Sequence, residues 1–156
     1  MTHEMSTQPP ATRLTDPSCL FCRIIAGEIP CYRVYEDDCV LAFLDIGPVV
    51  TGHVLVIPKA HYKNIFDIPD QVIAEVAARL PRLANAVAAA TGSTACHILL
   101  NNGPEAMQSV LHLHYHIIPR KDGDSFFVPW KPIRLDSRAT EPLISAIRDA
   151  LQKQAE

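Results

Sequence analysis

The sequence has no excess of positive charge and no long hydrophobic run. Its 156 residues include 14 Lys and Arg against 17 Asp and Glu, which gives a formal net charge of −3. Because proteins that bind nucleic acids need a basic surface to neutralise phosphates, this balance argues against a nucleic-acid partner. No apolar run approaches the ~20 residues that cross a bilayer, so we also expect no membrane partner.

The sequence also lacks the features of a secreted protein. Residues 1–18 have neither the basic start nor the apolar core of a signal peptide, so we expect a cytoplasmic protein. The five cysteines are an odd number, which does not suit a disulfide framework. A metal or redox role is more natural for the close pair Cys19 and Cys22, which offers half of a zinc site. The alternative is that both are small buried hydrophobic residues.

A Walker-type GxxxxGK(S/T) loop is missing as well, so a P-loop would not hold phosphate in this protein. The loop over residues 102–107 contains Gly103 and leads into Gln108 and Ser109. Backbone N–H groups and side-chain dipoles in such a loop can point at an anion. The sequence therefore predicts an anion site of a different kind.

Length and composition predict one folded domain with a substantial core. Hydrophobic residues make up 48% of the chain and charged residues 20%, which is ordinary for a globular protein. We divide the chain into a disordered leader over residues 1–16, a folded domain over 17–130 and a C-terminal helical extension over 131–156. A partner-binding arm is the alternative for the polar, Pro- and Thr-rich leader.

Apolar periodicity and turn residues place the secondary structure. A short helix is predicted between Ser18, as its cap, and Gly27. Pro81 should kink or split a long helical region over residues 67–91, and Gly92 should end it. Four strands and a C-terminal amphipathic helix complete the prediction, the strands over residues 32–36, 40–45, 53–58 and 97–101 and the helix over 140–152.

Three histidines at a spacing of two are the most distinctive feature. Residues 108–120 read QSVLHLHYHIIPR, with His112, His114 and His116 alternating with apolar residues. On a β-strand, this spacing puts three imidazoles on one face and an apolar row on the other. An imidazole can act as acid, base, nucleophile or metal ligand, so the polar face predicts a functional site rather than packing. The apolar row consists of Leu111, Leu113, Tyr115 and Ile117.

Asp45 follows the apolar run that ends the second predicted strand. A carboxylate beside an apolar slot can accept hydrogen bonds from both hydroxyls of a ribose. A loop-capping aspartate would give the same pattern, so both readings stay open at this point.

The histidine run resembles the signature of the histidine triad (HIT) family, His-φ-His-φ-His-φ-φ, in which φ is apolar. The similarity continues through CLFCRIIAGEIP, VYEDDCVLAFLDIGPVVTGHVLVIPKAHY and LLNNGPEAMQS, so it covers about residues 19–120 and points to the Hint-like bacterial branch. The resemblance implies an α+β fold built on an antiparallel sheet of about five strands. It also implies a homodimer.

The resemblance further implies a hydrolase that binds purine nucleotides and cleaves at the α-phosphorus. The substrate would be a nucleoside phosphoramidate or a diadenosine polyphosphate. His114 would be the nucleophile and form a nucleotidyl-histidine, with His112, His116 and Ser109 as further catalytic residues. Asp45 would hold the ribose. The base pocket would consist of Phe21, Ile24, Ile29, Phe43, Ile46 and Leu55, and the phosphate would contact Asn101, Gln108 and Ser109, with His116 and His53 beside it.

The same resemblance gives the cysteine pair two partners. Cys19, Cys22, His61 and His112 correspond to positions that bind structural zinc in some members and in the related galactose-1-phosphate uridylyltransferases. Two cysteines and two histidines close a tetrahedral site. Zinc there would conflict with the role of protonating the leaving group, which zinc-free members give to the position of His112. No other cofactor is expected.

Two other functions remain in competition with hydrolysis. A nucleotidyltransferase would hand the nucleotide to a sugar phosphate, although such enzymes commonly carry Gln where this chain has His116. A nucleotide-binding or scaffold protein would keep the pocket and turn over slowly, which intact His114, Asn101 and Ser109 disfavour. A purely structural zinc protein would not need Asp45 or Ser109.

Overall fold

The computed structural model describes residues 13–125 and 131–154, which fall into two separate compact units. Residues 1–12 of the predicted leader lie outside the described residues. Residues 13–16 belong with the first unit, because the Arg13 guanidinium donates to the Asp38 carbonyl at 2.9 Å and the His61 amide donates to the Leu14 carbonyl at 2.9 Å. These two contacts tie residues 13–16 to the strand and loop region of the first unit.

The first unit contains a five-stranded sheet in the order β1-β2-β3-β5-β4, in which every neighbouring pair is antiparallel. This confirms the predicted α+β class and the number of strands. The elements in chain order are α1 (Leu20–Ile25), β1 (Arg33–Glu36), β2 (Val40–Leu44), β3 (Val54–Pro58), α2 (Asp70–Ala77), α3 (Leu80–Thr91), β4 (Ala95–Leu100), a 3₁₀ turn (Pro104–Ala106), β5 (Tyr115–Arg120) and α4 (Ser137–Gln154).

Both faces of the central strands are buried. Alternate residues of β2 and β3, among them Phe43 and Leu55, pack against α1 on what we call the α1 face. The intervening residues, among them Ala42 and Val54, pack against α2 and α3 through Val76 and Leu83. Burying a side chain of this kind contributes ~1.5–3 kcal/mol. The two-residue period of the strands therefore makes the sheet the middle of three layers.

The observed ends of the helices agree only in part with the ends predicted from the sequence. Pro81 lies in the first turn of α3, where its missing N–H is tolerated. The long helical region is therefore split into α2 and α3, as predicted. Gly92 ends α3 with φ +65°, also as predicted. Ser18 is not the cap of α1. Cys19 takes that position without a side-chain hydrogen bond, while the Ser18 hydroxyl donates to Asp16.

The histidine run is only half a strand, which corrects the prediction that one strand carries all three histidines. β5 begins at Tyr115, where its pairing with Leu100 of β4 and Val56 of β3 begins. The preceding residues have no ladder partner, and the Leu113 amide donates instead to the Tyr62 carbonyl at 2.7 Å. The predicted apolar row breaks for the same reason, since Leu111 is 56% exposed.

The second unit is the helix α4, which begins three residues before the predicted start. Asp136 explains the difference, because its side chain accepts a hydrogen bond from the Arg138 amide at 2.9 Å and thus caps the helix. Pro142 lies inside α4, and no described residue of the helix is buried. Among the described residues, no helix is both long and apolar enough to span a membrane.

Candidate active site and metal centre

A cavity of about 210 Å³ opens on the α1 face of the sheet. The register explains its position, because Phe43 pairs with Leu55 and Leu55 pairs with His116, which puts the three side chains on one face. Most of the side chains in the cavity wall are apolar, whereas Asp45, Ser109, His114 and His116 are polar. The lining residues are Leu20, Phe21, Ile24, Ile29, Pro30, Cys31, Phe43, Asp45, Ile46, Leu55, Ser109, Val110, His114 and His116.

The cavity brings together all six residues predicted for the base pocket, along with Asp45, Ser109, His114 and His116. Sequence reasoning missed four lining residues: Leu20, Pro30, Cys31 and Val110. Each of these is next to a predicted residue or one position further along the chain. The predicted residues therefore marked the right stretches of the chain. Strand and helix periodicity alone, however, does not show that adjacent residues can line the same cavity.

His114 presents a neutral ring to the cavity. Its Nδ1–H donates to the His112 carbonyl at 2.7 Å, which leaves the lone pair on Nε2. Burial is the main cause that lowers the pKa of His114 below the ordinary histidine value. The ring is therefore unprotonated on Nε2 at neutral pH, as a nucleophile requires.

His53 fixes the tautomer of His116. The Val49 amide donates to His53 Nδ1 at 3.3 Å, so the proton of this ring is on Nε2. His53 Nε2–H can then donate to His116 Nδ1, 2.8 Å away, which leaves the His116 proton on its own Nε2. Burial, followed by the neighbouring histidines, lowers the pKa of His116 to about 4, so the ring stays neutral. His116 Nε2 is buried and has no partner in the part of the chain that the structure describes.

The loop after β2 positions His53. Gly52 precedes it with φ +90°, and a Cβ at this glycine would lie 2.5 Å from the Thr91 methyl group. Only glycine satisfies both the left-handed backbone and the close approach of α3.

Within the same loop, Asp45 Oδ1 accepts a hydrogen bond from the Gly47 amide at 2.8 Å, while Oδ2 lies 3.6 Å from His53 Nδ1. The loop-capping role and the ribose role of Asp45 are therefore compatible.

Two predicted phosphate contacts do not line the cavity. Gln108 uses its amide on the backbone, because Oε1 accepts from the Gly103 amide at 2.8 Å and Nε2 donates to the Lys63 and Val110 carbonyls at 2.6 and 3.0 Å. These hydrogen bonds brace the loop, and the phosphate contact of Gln108 stays a prediction. Asn101 follows β4 and is absent from the cavity wall. His53 does not line the cavity either, but its Nε2 contacts His116, which does.

Four ligand atoms from three segments converge at the N-terminal end of α1. Cys19, Cys22, His61 and His112 each place one ligand atom within 4.8 Å of the others. The measured Sγ–Nδ1 separations are 3.5 Å for Cys19–His112, 3.3 Å for Cys22–His61 and 3.7 Å for Cys22–His112. A tetrahedral zinc with bonds of about 2.3 Å to sulfur and 2.0–2.1 Å to nitrogen would set these atoms about 3.6 Å apart. The residues therefore fit a zinc ion.

Both ring nitrogens of His112 are directed away from the cavity. Nε2 lies 2.8 Å from the Pro58 carbonyl, to which it can donate, so the lone pair on Nδ1 faces the two sulfur atoms. Such an outer hydrogen bond orients a metal ligand. The ring is fully buried and does not line the cavity, which does not fit the predicted catalytic role for this residue. Of its two predicted roles, the geometry fits the metal ligand.

The comparison with known proteins decides the family. The family model described as HIT domain matches residues 26–123. The chain belongs to the HIT family. The HIT protein is 42% identical over 134 residues to the adenylylsulfatase HINT3 of Arabidopsis thaliana, across 83% of this chain and 68% of that one. It is 40% identical over 126 residues to the adenosine 5′-monophosphoramidase HNT1 of Saccharomyces cerevisiae, across 80% and 77%.

Solved structures support the same assignment. The crystal structure of SMU.412c from Streptococcus mutans UA159 matches the HIT protein with a TM-score of 0.86 and 37% identity, over 94% of each chain. A zinc-bound histidine triad family protein from Mycobacterium smegmatis matches with a TM-score of 0.68 and 37% identity, over 89% of this chain and 98% of that one. A relative of the same fold thus holds zinc.

Proposed function

We propose that this HIT protein is a hydrolase that cleaves purine nucleotide conjugates at the α-phosphorus. The observation that carries the proposal is the cavity, which combines an apolar wall with Asp45, Ser109, His114 and His116. A planar base suits the apolar wall, and the polar side chains suit a ribose and a phosphate. Relatives with 42% and 40% identity are named as an adenylylsulfatase and an adenosine 5′-monophosphoramidase, and both names describe the cleavage of an adenylyl group.

His114 is the nucleophile in this proposal. Its Nε2 lone pair forms a bond to the α-phosphorus while the bond from phosphorus to the leaving group breaks, and the leaving group keeps the bonding electrons. The His112 carbonyl accepts the Nδ1–H bond throughout, so it stabilises the positive charge that develops on the ring. Water then attacks the phosphorus of the nucleotidyl-histidine, the bond from phosphorus to His114 Nε2 breaks, and the ring regains its lone pair as the nucleoside monophosphate leaves.

The phosphoryl oxygens need donors in a site with few of them. His116 supplies an Nε2–H that is buried and has no other partner within the described residues. Ser109 lines the same cavity and adds a hydroxyl. Donors placed in advance at a transferring phosphoryl group are a major source of catalysis, because they need no reorganisation during the reaction. A divalent cation is not required if these donors offset the charge.

The four-residue cluster of Cys19, Cys22, His61 and His112 would hold zinc. Four protein ligands leave no open position, so the metal would supply a structural cross-link rather than a Lewis acid. His112 would then be committed to the metal, and the catalytic step would depend on His114, His116 and Ser109.

The test is a side-by-side measurement of substrates with the purified full chain. Initial rates are measured for adenosine 5′-phosphoramidate, adenylyl sulfate, a dinucleoside triphosphate and a dinucleoside tetraphosphate, each with and without a sugar phosphate as acceptor. We expect AMP release from at least one of the four, with no dependence on the acceptor. Transfer to the sugar phosphate without AMP release would favour a nucleotidyltransferase, and tight AMP binding without turnover of any substrate would favour a binding protein. Either result would contradict the proposal.

A further inference from the structure

We propose that Phe21 is a positioning residue for His114, in addition to being part of the cavity wall. The role rests on the proposed function, because it concerns how the nucleophile is held. Phe21 is 4% exposed and lies on α1 between Cys19 and Cys22. Its side chain contacts the His114 ring and also lines the cavity. One ring therefore touches both the nucleophile and the space for the base.

The geometry of the contact is directional. The Phe21 and His114 ring centroids are 5.2 Å apart, and the planes meet at 87°. Phe21 also meets His112 at 5.8 Å and 68°, and Phe43 at 5.6 Å and 75°. Edge-to-face packing at 4.5–7 Å is a favoured arrangement, because the positive ring edge faces the negative face of its neighbour. The Phe21 ring is thus held from several sides and can restrain a partner.

His114 needs such a restraint. It precedes β5, so the strand ladder does not hold its backbone on both sides. Its ring makes one hydrogen bond, from Nδ1 to the His112 carbonyl. A single hydrogen bond fixes the tautomer but permits the ring to pivot about that bond. The perpendicular Phe21 contact restricts this pivot, and the centroid of the His116 ring lies 4.9 Å from that of His114.

The restraint matters because in-line attack is sensitive to angle. A small misplacement of a reacting group can cost a large factor in rate while leaving binding intact. A base that enters the cavity would pack against Phe21, so its binding energy would reach the nucleophile through that ring. Removing the ring should therefore lower kcat, whereas removing another part of the apolar wall should act through KM.

Phe43 provides the matched control. It is also a buried phenylalanine of the cavity wall, and its described ring contact is with Phe21. We compare Phe21→Leu with Phe43→Leu on the best substrate of the full, metal-loaded chain. Both variants should raise KM to a similar extent, and Phe21→Leu should also lower kcat about tenfold. Phe43→Leu leaves the Phe21 ring in contact with His114 and removes only one of its supports, so it should lower kcat much less. Single-turnover kinetics should place the loss in the formation of the nucleotidyl-histidine.

Circular dichroism and melting curves check that both variants fold, and Phe21→Met, which keeps the volume but not the ring, replaces Phe21→Leu if that variant does not. Equal kcat values for the Phe21 and Phe43 variants, with effects confined to KM, would overturn the positioning role and leave the proposed hydrolase intact. If the unaltered protein forms no nucleotidyl-histidine and releases no AMP, the proposed function fails and this role fails with it.

Discussion

The two carboxylate oxygens of Asp45, a residue of the cavity wall, have different neighbours. Oδ1 accepts the Gly47 amide, so this oxygen maintains the turn after β2. Oδ2 lies 3.6 Å from His53, whose pKa is lowered chiefly by burial, so the two do not form an ion pair at neutral pH. The side chain is 20% exposed, which leaves room for ribose hydroxyls to reach Oδ2.

Replacing Asp45 by Asn separates the two roles. Asn keeps an oxygen for the Gly47 amide but removes the charge that strengthens hydrogen bonds from a ribose. Because a hydrogen bond to a charged group contributes ~1.5–3 kcal/mol, Asp45→Asn should weaken AMP binding about tenfold or more without loss of thermal stability. Calorimetric titration measures the binding, and 2′,3′-dideoxy AMP should bind the unaltered protein as weakly as AMP binds the variant. Equal binding of the two sugars by the unaltered protein would leave Asp45 with only its loop role.

The sequence predicted which residues line the cavity better than it predicted their hydrogen-bond partners. His114 and His116 do share a side of the chain with a ring separation of 4.9 Å, because a spacing of two in extended backbone brings alternate side chains together. Gln108 shows the limit. Its amide bonds to Lys63, 45 positions earlier, and no local pattern contains that contact. The same applies to the hydrogen bond from Val49 that sets the tautomer of His53.

At the scale of elements, α1 joins the two halves of the site. It has only six residues, which is too short to be stable by itself in water. One side of it packs on the sheet and lines the cavity, and its N-terminal turn carries two of the four metal-ligand positions. The other two ligands come from the loop after β3 and the segment before β5. A metal at this cluster would therefore fasten α1 to the sheet.

The prediction is that zinc stabilises the fold more than it serves the chemistry. Protein purified without added metal should contain about one zinc per chain, and Cys19→Ser should lower both the zinc content and the melting temperature, by about 5 °C or more. Cys96→Ser is the control, since Cys96 is exposed on β4 and lies outside the cluster. Elemental analysis and calorimetry give the two values. The clamp is wrong if the protein holds no zinc and Cys19→Ser melts like its control.

Strand limits were harder to predict than strand existence. The sequence placed every strand of the sheet, but it extended the last one back through His112 because the alternation of apolar residues continues to Leu111. In the structure this strand begins only at Tyr115, because the residues before it have no partners in β3 and β4. Alternation records which side chains could share a face, whereas a strand also needs a neighbouring backbone to bond.

On the scale of the whole molecule, the sheet of the first unit has two edges, β1 and β4. β4 exposes Ala95, Cys96 and Ile98, so both its backbone and part of its apolar surface face outward. Open edges of this kind are aggregation hazards unless they are paired or covered, and two-fold dimers are the commonest oligomers. We therefore predict a homodimer. Light scattering at micromolar concentration should give twice the mass of one chain, and a stable monomer would refute the prediction.

His114→Ala removes the proposed covalent nucleophile and leaves the rest of the cavity wall unchanged. Loss of a nucleophile should lower turnover of the best nucleotide conjugate by about a thousandfold or more. The variant should still bind AMP within about tenfold of the unaltered protein, because the base and ribose contacts remain. His97→Ala, which changes a histidine of β4 outside the cavity, should keep its turnover. Near-normal turnover by His114→Ala would show that His114 is not the nucleophile.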